Sequence, residues 1–286
     1  MNESNIIVYY HNKDMDGYTS GAILKYKYPK AELIGWDYVD EVPDSEMLRN
    51  KEVILIDITF PIKDLQKIGK VASKLTIIDH HSSFRKEVDD LVEEINFEYV
   101  YDVSKSACEG GWKYCFPNRN VPVAIELIGE YDTHRNGDLD KWENTILPFK
   151  YYSYSIINKV EDFPTDFFTE KINISECIDI GVNIMKYDDT MNESLCSKNS
   201  FDKKIYGGLR AICLNYSPFS SEVIKSVWDP NKYDIMVGFC FVGDSWTISL
   251  RSVGDIDVSD IAKARGGGGH KNAAGFEVKK FEDIWV

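Results

Sequence analysis

The first half of the chain alternates short apolar runs with stretches of helical periodicity. The apolar runs are rich in Ile, Leu and Val and show little polar alternation, which is typical of strands covered on both faces of a parallel sheet. They lie at 6–10, 31–36, 52–57 and 74–79. Helices are expected between and after them, at 18–28, 61–73, 106–116 and 121–131. This pattern predicts an α/β domain over residues 1–150, with a mainly parallel sheet flanked by helices.

The pattern changes in the second half of the chain. Residues 151–200 are mixed in character with one helical stretch at 175–188, and we interpret them as a helical connector. Shorter elements follow, with strands expected at 204–214, 233–242, 246–251 and 274–279 and helices at 220–227 and 258–264. Residues 201–286 are therefore predicted to form a smaller α+β domain, with the active site in the cleft between the two domains.

Side chains that commonly bind metals follow three of the predicted N-terminal strands. They are His11, Asp14 and Asp16 after the first strand, Asp57 at the end of the third, and Asp79, His80 and His81 at the end of the fourth. Open α/β sheets build their sites at the carboxyl ends of the strands. A polar residue that ends a strand, or an aspartate that caps a helix, explains any one cluster but not three together.

These clusters would bring several carboxylates to one sheet edge without a basic partner. Asp132, at the end of the helix expected at 121–131, adds another. Divalent cations would relieve the repulsion, and mixed oxygen and imidazole ligands favour manganese, with zinc, iron or cobalt as alternatives. Two such ions can share a water and contact both the attacking and the leaving oxygen of a phosphate.

The same residues resemble, in order and spacing, the four motifs of the DHH phosphoesterase family. The motifs read His11-x-x-Asp14-x-Asp16-Gly17, then Asp57, then Asp79-His80-His81, then Asp132. The spacing of the first motif is most similar to that of RecJ-type members. Each motif is weak by itself, whereas four in sequence are specific. The resemblance implies hydrolysis of a phosphoester with the help of two metal ions.

The resemblance also implies a role for each of these residues. One ion would be held by His11, Asp14 and Asp57, and the other by Asp16, Asp57, His80 and Asp132, so that Asp57 bridges them. In the same pattern, Asp79 would orient the ring of His80, and His81 would face the scissile phosphate. Asp79 and His81 are therefore the expected catalytic residues.

A glycine run near the C-terminus forms a second constellation. Four consecutive glycines cost much backbone entropy on folding, so the run at 266–269 predicts close approach of backbone N–H groups to an anion rather than a flexible linker. The expected substrate contacts are Gly267, Gly268, Gly269, His270 and Arg251. For Arg251 alone, a solvated surface position agrees equally well with the local sequence. The run GGGGHKNAAG, with SLRS upstream, is similar to the DHH-associated C-terminal domain of nanoRNases and RecJ-like nucleases, which implies that this domain grips the substrate.

Charge and aromatic content restrict the expected substrate. The net charge is −14, and residues 1–195 carry 36 acidic and 21 basic side chains, whereas residues 196–286 carry 11 and 12. A region with this excess of negative charge is poorly suited to binding a long polyanion. Aromatic side chains are plentiful but have few Lys or Arg neighbours, so we interpret them as core packing rather than a single-strand groove. They are Tyr99, Tyr101, Trp112, Tyr114, Tyr151, Tyr152 and Tyr154.

The remaining features concern the environment of the protein. The six cysteines form no CxxC pair, which favours free thiols in a reducing compartment. The N-terminal segment is not typical of a signal peptide, and no apolar run is long enough to cross a membrane. We therefore expect a cytoplasmic protein without a membrane partner, and the sequence leaves a homodimer open.

These observations predict a manganese-dependent phosphodiesterase with two metal ions that hydrolyses short oligonucleotides or dinucleotides to mononucleotides. Two alternatives are also enzymes: a phosphomonoesterase acting on 3′-phosphorylated nucleotides, and a polyphosphatase or pyrophosphatase. A third alternative is a regulatory module that binds nucleotides without turnover. A long single-strand exonuclease agrees less well with the acidic charge.

Overall fold

A computed structural model describes residues 3–81, 88, 91, 95, 97–217 and 219–286. The chain divides into two compact units, Met1–Ile184 and Met185–Val286. The boundary between the units falls inside a helix, Ile174–Asn199. The finer division predicted from the sequence, with a connector at 151–200, stays a prediction.

The first unit contains a parallel sheet. Its strands are β1 (Ile6–His11), β2 (Glu32–Trp36), β3 (Glu52–Ile56), β4 (Lys74–Asp79) and β5 (Glu98–Tyr101). Among the described residues they run in the order β2-β1-β3-β4-β5, and each neighbouring pair is parallel. The predicted α/β fold with a mainly parallel sheet is confirmed. β5 was not predicted, because its four residues carry too little apolar character to stand out from the flanking chain.

Both faces of this sheet are covered, as the apolar strands predict. In the central strand β3, Ile54 and Ile56 belong to one buried cluster and Val53 and Leu55 to another. Successive side chains of a strand point to opposite faces, so a strand without polar alternation must be buried on both. The polar residues at the strand ends are thereby concentrated at the sheet edge.

Helices connect and cover these strands. In the first unit they are α1 (Met15–Lys27), α2 (Ile62–Val71), α3 (Ala107–Cys115), α4 (Val123–Asp132), α5 (Leu139–Lys141), α6 (Leu147–Ile156) and α7 (Asp166–Thr169). The long helix α8 is Ile174–Asn199. None of the helices in the described part of the chain has both the length and the apolar character that a bilayer span requires.

The second unit is built on a mixed sheet. Its strands are β6 (Ser200–Ile205), β7 (Leu209–Asn215), β8 (Ile235–Val242), β9 (Ser245–Ser252), β10 (Gly268–His270) and β11 (Ala273–Val278). Their order in the described chain is β10-β11-β9-β8-β7-β6, and β7 and β8 form the parallel pair. Two short helices accompany the sheet, α9 (Ser221–Ile224) and α10 (Val258–Lys263). The predicted α+β character of this region is confirmed.

The single strand predicted at 204–214 is wrong. The chain reverses there, and β6 and β7 pair as an antiparallel hairpin. Tyr206, Gly207 and Gly208 all have positive φ angles, at 51°, 84° and 107°. Two glycines make such a reversal accessible, because they adopt positive φ without the steric cost of a side chain.

Helix α8 packs closely against the start of α6. Gly181 lies where a Cβ atom would come within 1.8 Å of the carbonyl oxygen of Pro148. A backbone carbonyl cannot rotate away as a side chain can, so this contact requires a residue without a Cβ. The close approach fixes where α6 begins, and α6 contributes side chains near the candidate site described below.

The variant Gly181→Ala should therefore be less stable than the wild type, by about 1–3 kcal/mol, as is usual for overpacking. Alanine favours helices over glycine, so a loss of stability would report the clash rather than helix propensity. Urea unfolding of the Met1–Val286 chain measures the effect. Gly137→Ala is the matched control, because a Cβ there would meet nothing within 4 Å. Equal stabilities of the two variants would contradict this packing.

Candidate metal centre

One group of predicted ligands surrounds the ring of His80. Its Nε2 lies 3.4 Å from Asp132 Oδ2, 3.6 Å from Asp57 Oδ1 and 3.8 Å from Asp16 Oδ2. These residues come from four separate positions in the chain: the end of α4, the loop after β3, the first turn of α1 and the segment after β4. The parallel sheet brings them together because its strands end at a common edge.

A second group surrounds His11. The Nδ1 atom of this histidine lies 2.9 Å from Asp14 Oδ2 and 3.6 Å from Asp57 Oδ2. Asp57 thus contributes one oxygen to each group, Oδ2 to the His11 group and Oδ1 to the His80 group. The structure therefore brings together all six residues predicted as ligands, and the predicted bridging position of Asp57 agrees with the geometry. Their role as ligands stays a prediction.

Asp57 is the residue shared by both groups, and its backbone is unusual. It has a φ of 61° and its side chain is 2% exposed. Its N–H donates to the carbonyl of Ile78, which ties the end of β3 to β4. A non-glycine residue at positive φ is uncommon outside functional sites, and Asp and Asn tolerate it best. The strained backbone aims both carboxylate oxygens into the site.

Asp16 is held in place by the N-terminus of α3. Its Oδ2 accepts a hydrogen bond of 2.9 Å from the N–H of Ala107, and its Oδ1 accepts one of 2.8 Å from the N–H of Cys108. The positive end of the helix dipole favours a carboxylate there. The sequence signal for this helix start is a capping box formed by Ser106 and Glu109. That signal locates the helix but gives no indication of its partner, which lies 91 residues earlier in the chain.

Asp14 has two functions at once. Its Oδ1 accepts a hydrogen bond of 2.9 Å from the N–H of Gly17 and caps α1, while its Oδ2 faces His11. The interpretation as a helix cap and the interpretation as a ligand are therefore both compatible with the structure. Gly17 is required here because a Cβ would lie 2.0 Å from the carbonyl oxygen of His11.

Asp37 is a member of the site that sequence reasoning missed. Its Oδ1 lies 3.7 Å from Nε2 of His11, on the side of the ring away from Asp14. This contact fixes the orientation of the imidazole and leaves Nδ1 facing the carboxylates. Asp37 directly follows β2, so the rule that identified the other strand ends could have found it.

The donor set fits divalent cations. Within the described residues, the ion-pair partners of Asp14, Asp16, Asp57 and Asp132 are histidines. Both oxygens of Asp57, Oδ2 of Asp132 and Nδ1 of His11 are buried and accept or donate no hydrogen bond in the described chain. Buried polar atoms are almost always satisfied, so their convergence points to a missing cationic partner. Three sets of these residues have donor atoms within 4.8 Å of one another.

The electrostatics support the same conclusion. Burial raises the pKa of Asp57 well above its ordinary value, and the nearby charge of Asp16 raises it further. Burial, followed by Asp16 and Asp57, raises the pKa of Asp132 to about 8. Asp132 therefore tends to retain a proton at neutral pH unless a cation replaces it. Burial acts in the opposite direction on His11, but Asp14 and Asp57 together raise its pKa to about 10.

The predicted role of Asp79 is wrong in one respect. Its Oδ1 lies 2.8 Å from Nδ1 of His81 and accepts the backbone N–H groups of His80 and His81, at 2.7 and 3.2 Å. It therefore orients the ring of His81 rather than that of His80. The physical reason is local, since the backbone N–H groups of His80 and His81 both donate to Asp79 Oδ1 and so bring this oxygen beside the His81 ring. The His80 ring is directed instead toward the aspartates.

In the second unit, Arg251 is half-buried. Its Nη1 donates to the carbonyl of Leu250 at 2.9 Å, and its Nη2 donates to that of Phe219 at 3.3 Å. Burial lowers its pKa from the ordinary value, although Glu222 acts in the opposite direction. The guanidinium is thus fixed by backbone carbonyls and does not have the fully solvated surface position that the local sequence also allowed. Its contact with substrate stays a prediction.

The glycine run forms an edge strand rather than an open loop. Gly268, Gly269 and His270 pair with residues 273–275 of β11. At Gly267, a Cβ would lie 2.1 Å from the carbonyl oxygen of Gly275, and at Gly269, 2.5 Å from that of Ala273. Close packing against β11 therefore explains two of the glycines. A groove of about 470 Å³ lies beside the run and is lined in part by Gly266, Gly267 and Thr247.

Protons and metal ions should compete for the site below pH 8. In the metal-free fold the pKa of Asp132, about 8, lies above its unfolded value, so this residue destabilises the fold as the pH rises from about 4 through 8. Bound Mn²⁺ should remove that penalty. We expect that adding Mn²⁺ raises the melting temperature more at pH 8 than at pH 6. For each proton that the ion displaces, the affinity for Mn²⁺ should fall by up to about tenfold per unit decrease in pH. Equal shifts at both pH values in differential scanning fluorimetry would contradict the carboxylate cluster as the binding site.

Comparison with known proteins gives a consistent fold. Residues 222–284 match the model of the DHHA1 domain. The structure is similar to a pGpG-specific phosphodiesterase from Vibrio cholerae, at 12% identity and a TM-score of 0.53 over 98% of this chain and 94% of that chain. An exopolyphosphatase-related protein from Bacteroides fragilis is 15% identical, with a TM-score of 0.54 over 97% of this chain and 88% of that chain. The DHH domain of a member of the s1p family of ribosomal proteins is 14% identical, with a TM-score of 0.58 over 98% of this chain and 84% of that chain.

A curated relative matches nearly the whole chain. It is an uncharacterized protein of Acanthamoeba polyphaga mimivirus, 24% identical over 94% of this chain, and the chain spans 66% of that relative's length. The similarities to solved structures concern the fold, which they share across both units. The DHHA1 match covers Arg251 and the glycine run, and the four N-terminal motifs lie at one sheet edge. From these findings together, residues 222–284 carry a DHHA1 domain, and the chain shares its fold with the solved structures of a phosphodiesterase, an exopolyphosphatase-related protein and a DHH domain.

Proposed function

We propose that this protein is a metal-dependent phosphodiesterase that hydrolyses short oligonucleotides or dinucleotides to mononucleotides, with Mn²⁺ as its preferred ion. The observation that carries the proposal is the position of Asp57. Its two oxygens, buried and without a hydrogen-bond donor among the described residues, face two separate groups of nitrogen and oxygen ligands. A carboxylate shared by two cation sites is the arrangement that two-metal phosphoryl transfer requires.

The proposed ligands divide into two sets around this shared carboxylate. His11, Asp14 and Asp57 would hold one ion, and Asp16, Asp57, His80 and Asp132 would hold the other. The bound ions would supply Lewis acidity, lowering the pKa of a water and stabilising negative charge on the phosphate. Oxygen and imidazole ligands without thiolates favour manganese over softer ions.

His81 would bind the phosphate and stabilise its negative charge. The hydrogen bond that the ring donates to Asp79 raises the pKa of His81, although burial acts in the opposite direction, so the ring tends to keep its proton. Since Nδ1 is engaged by Asp79, Nε2 is left to donate to a phosphate oxygen. The side chain is 40% exposed, which leaves it accessible to a substrate. A protonated imidazole fixed by a carboxylate stabilises developing negative charge.

The C-terminal domain would bind the rest of the substrate. Gly268, Gly269 and His270 form β10, with Gly267 directly before them, and among the described residues this strand has a neighbouring strand on one side only. Backbone N–H groups at such an edge can bind an anion. Arg251 adds a guanidinium that backbone carbonyls hold in place.

The choice of a short nucleotide substrate rests on charge. The acidic excess lies in residues 1–195, which contain the proposed metal ligands, so a long polyanion would meet net repulsion there. One protein with this fold is a pGpG-specific phosphodiesterase and another is related to exopolyphosphatases. Nucleotide diesters and phosphoanhydrides are therefore the two substrate classes that an assay must separate.

The wild-type protein with Mn²⁺ should hydrolyse 5′-labelled dinucleotides faster than a 3′,5′-bisphosphate nucleotide or inorganic polyphosphate. Asp57→Asn should reduce turnover more than about 100-fold, because even residues that only orient a metal ligand contribute 10–100-fold. Asparagine is the matched substitution, since it tolerates the φ of 61° at this position. The melting temperature without metal should not fall, because relief of the burial and of the repulsion from Asp16 offsets the lost contacts with His11 and His80.

Asp244→Asn is the control for this assay, because the Asp244 side chain is 88% exposed, pairs with Lys279 and is not one of the proposed ligands or substrate contacts. It should hydrolyse dinucleotides at the wild-type rate. Release of product from polyphosphate alone would overturn the choice of substrate. Tight binding of dinucleotides by Mn²⁺-loaded protein without any product would show a binding module instead of an enzyme.

A further inference from the structure

A group of stacked rings lies next to the candidate metal centre. The rings of Tyr131 and Trp142 are 5.8 Å apart and nearly parallel, at 16°. His134 lies 6.2 Å from Tyr131 and 5.7 Å from Trp142. Because Tyr131 directly precedes Asp132, the ring group begins at a proposed metal ligand.

Helix α6 adds a lysine surrounded by tyrosines. The Nζ atom of Lys150 lies 4.2 Å from the ring centre of Tyr151, 5.4 Å from that of Tyr131 and 5.6 Å from that of Tyr154. Tyr154 follows Lys150 by one helical turn, so both lie on the same face of α6. Cation–π contacts of this kind hold the ammonium group in place. We call the surface of Tyr131, His134, Trp142, Lys150, Tyr151 and Tyr154 the aromatic platform.

Tyr154 brings the aromatic platform to the metal centre. Its hydroxyl lies against the backbone of Met15, the first residue of α1. At the other end of the platform, Nδ1 of His134 lies 3.4 Å from the backbone oxygen of the proposed ligand Asp132. The platform therefore contacts the chain at α1 and at the end of α4, next to a proposed ligand from each of the two metal groups.

The platform is partly buried, since Tyr131 and Trp142 pack against the hydrophobic core, whereas Tyr154 is exposed. The side chain of Tyr154 is 41% exposed, so its interpretation as core packing is wrong, whereas Trp112, at 1%, fits that interpretation. The chain just before α6 forms a π-helical turn, Trp142–Ile146. Such turns are rare and occur most often at functional sites. The exposed ring of Tyr154 and the ammonium group of Lys150 therefore lie together on a partly buried group of rings, beside the site where phosphate chemistry is expected.

We propose that the aromatic platform stacks a nucleobase of the substrate, with Lys150 as the positive charge beside it. The inference rests on the proposed function. It restricts the substrate to phosphoesters that carry a base and excludes polyphosphate and pyrophosphate. Bases stack on aromatic side chains with little preference for sequence, because each base presents a π-face. Inorganic phosphoanhydrides have nothing that such a surface could bind.

Binding of 2-aminopurine riboside 5′-monophosphate in Mg²⁺ tests the platform directly, because stacking quenches 2-aminopurine fluorescence and no turnover is needed. The wild type should quench the probe. Tyr154→Leu should raise the Kd about tenfold, equivalent to about 1.4 kcal/mol, within the range for base–aromatic stacking. Tyr154→Phe keeps the ring and should bind within about twofold of the wild type. Tyr187→Leu is the control, since this tyrosine is 69% exposed on α8 and outside the platform.

Kinetics provide the second readout. For the wild type, a dinucleotide analogue that lacks one base should have a KM about tenfold higher than the intact dinucleotide. In Tyr154→Leu this difference should largely disappear, while the rise in melting temperature on adding Mn²⁺ stays as in the wild type. Trp142→Leu changes another ring of the platform and should likewise reduce the difference in KM between the intact dinucleotide and the analogue. This second variant keeps the proposal testable if Tyr154→Leu does not fold.

The two proposals can fail separately. Quenching that is absent from the wild type, or that is unchanged in both Tyr154→Leu and Trp142→Leu, would overturn the platform even if dinucleotides are hydrolysed. Quenching that depends on Tyr154, in a protein that hydrolyses no nucleotide, would support the platform and overturn the proposed phosphodiesterase.

Discussion

The site depends on how the fold tolerates several carboxylates buried within a few ångströms of one another. Asp16 and Asp57 are nearly inaccessible to solvent, and Asp132 lies beside them. Burying one unpaired carboxylate is costly, and burying three together is more so. Proton uptake reduces the cost in the metal-free protein, which is why the pKa values of these groups are raised. A pair of divalent cations removes it more completely.

The remaining architecture can be understood as support for this cluster. The parallel sheet brings the strand ends to one edge, and the N-terminus of α3 stabilises the charge of Asp16 with two backbone N–H groups. A buried ion pair continues this support, because Arg135, three residues after Asp132, donates to Glu109 in the first turn of α3 at 2.8 Å. The two chain segments that position Asp16 and Asp132 are thereby connected. Rigid support of this kind holds ligands in place before an ion arrives.

Much of this arrangement could be predicted from the sequence because it follows from local patterns. Apolar strands without alternation predicted a parallel sheet, and the rule that sites form at the carboxyl ends of strands predicted that His11, Asp57 and His80 would meet. The same rule could have found Asp37. Contacts between distant segments could not be predicted, since nothing near Asp16 indicates that α3 would supply its hydrogen bonds. The role of Asp79 depended on the backbone hydrogen bonds that its side chain accepts from His80 and His81, and the exposure of Tyr154 depended on how α6 packs.

The central claim is that Asp57 lies between two cations. Anomalous X-ray scattering from crystals soaked in Mn²⁺ measures it most directly, because it locates manganese independently of the protein model. The account predicts two peaks, one on the His11 side of the Asp57 carboxylate and one on the His80 side. A single peak, or two peaks that both lie away from Asp57, would contradict it.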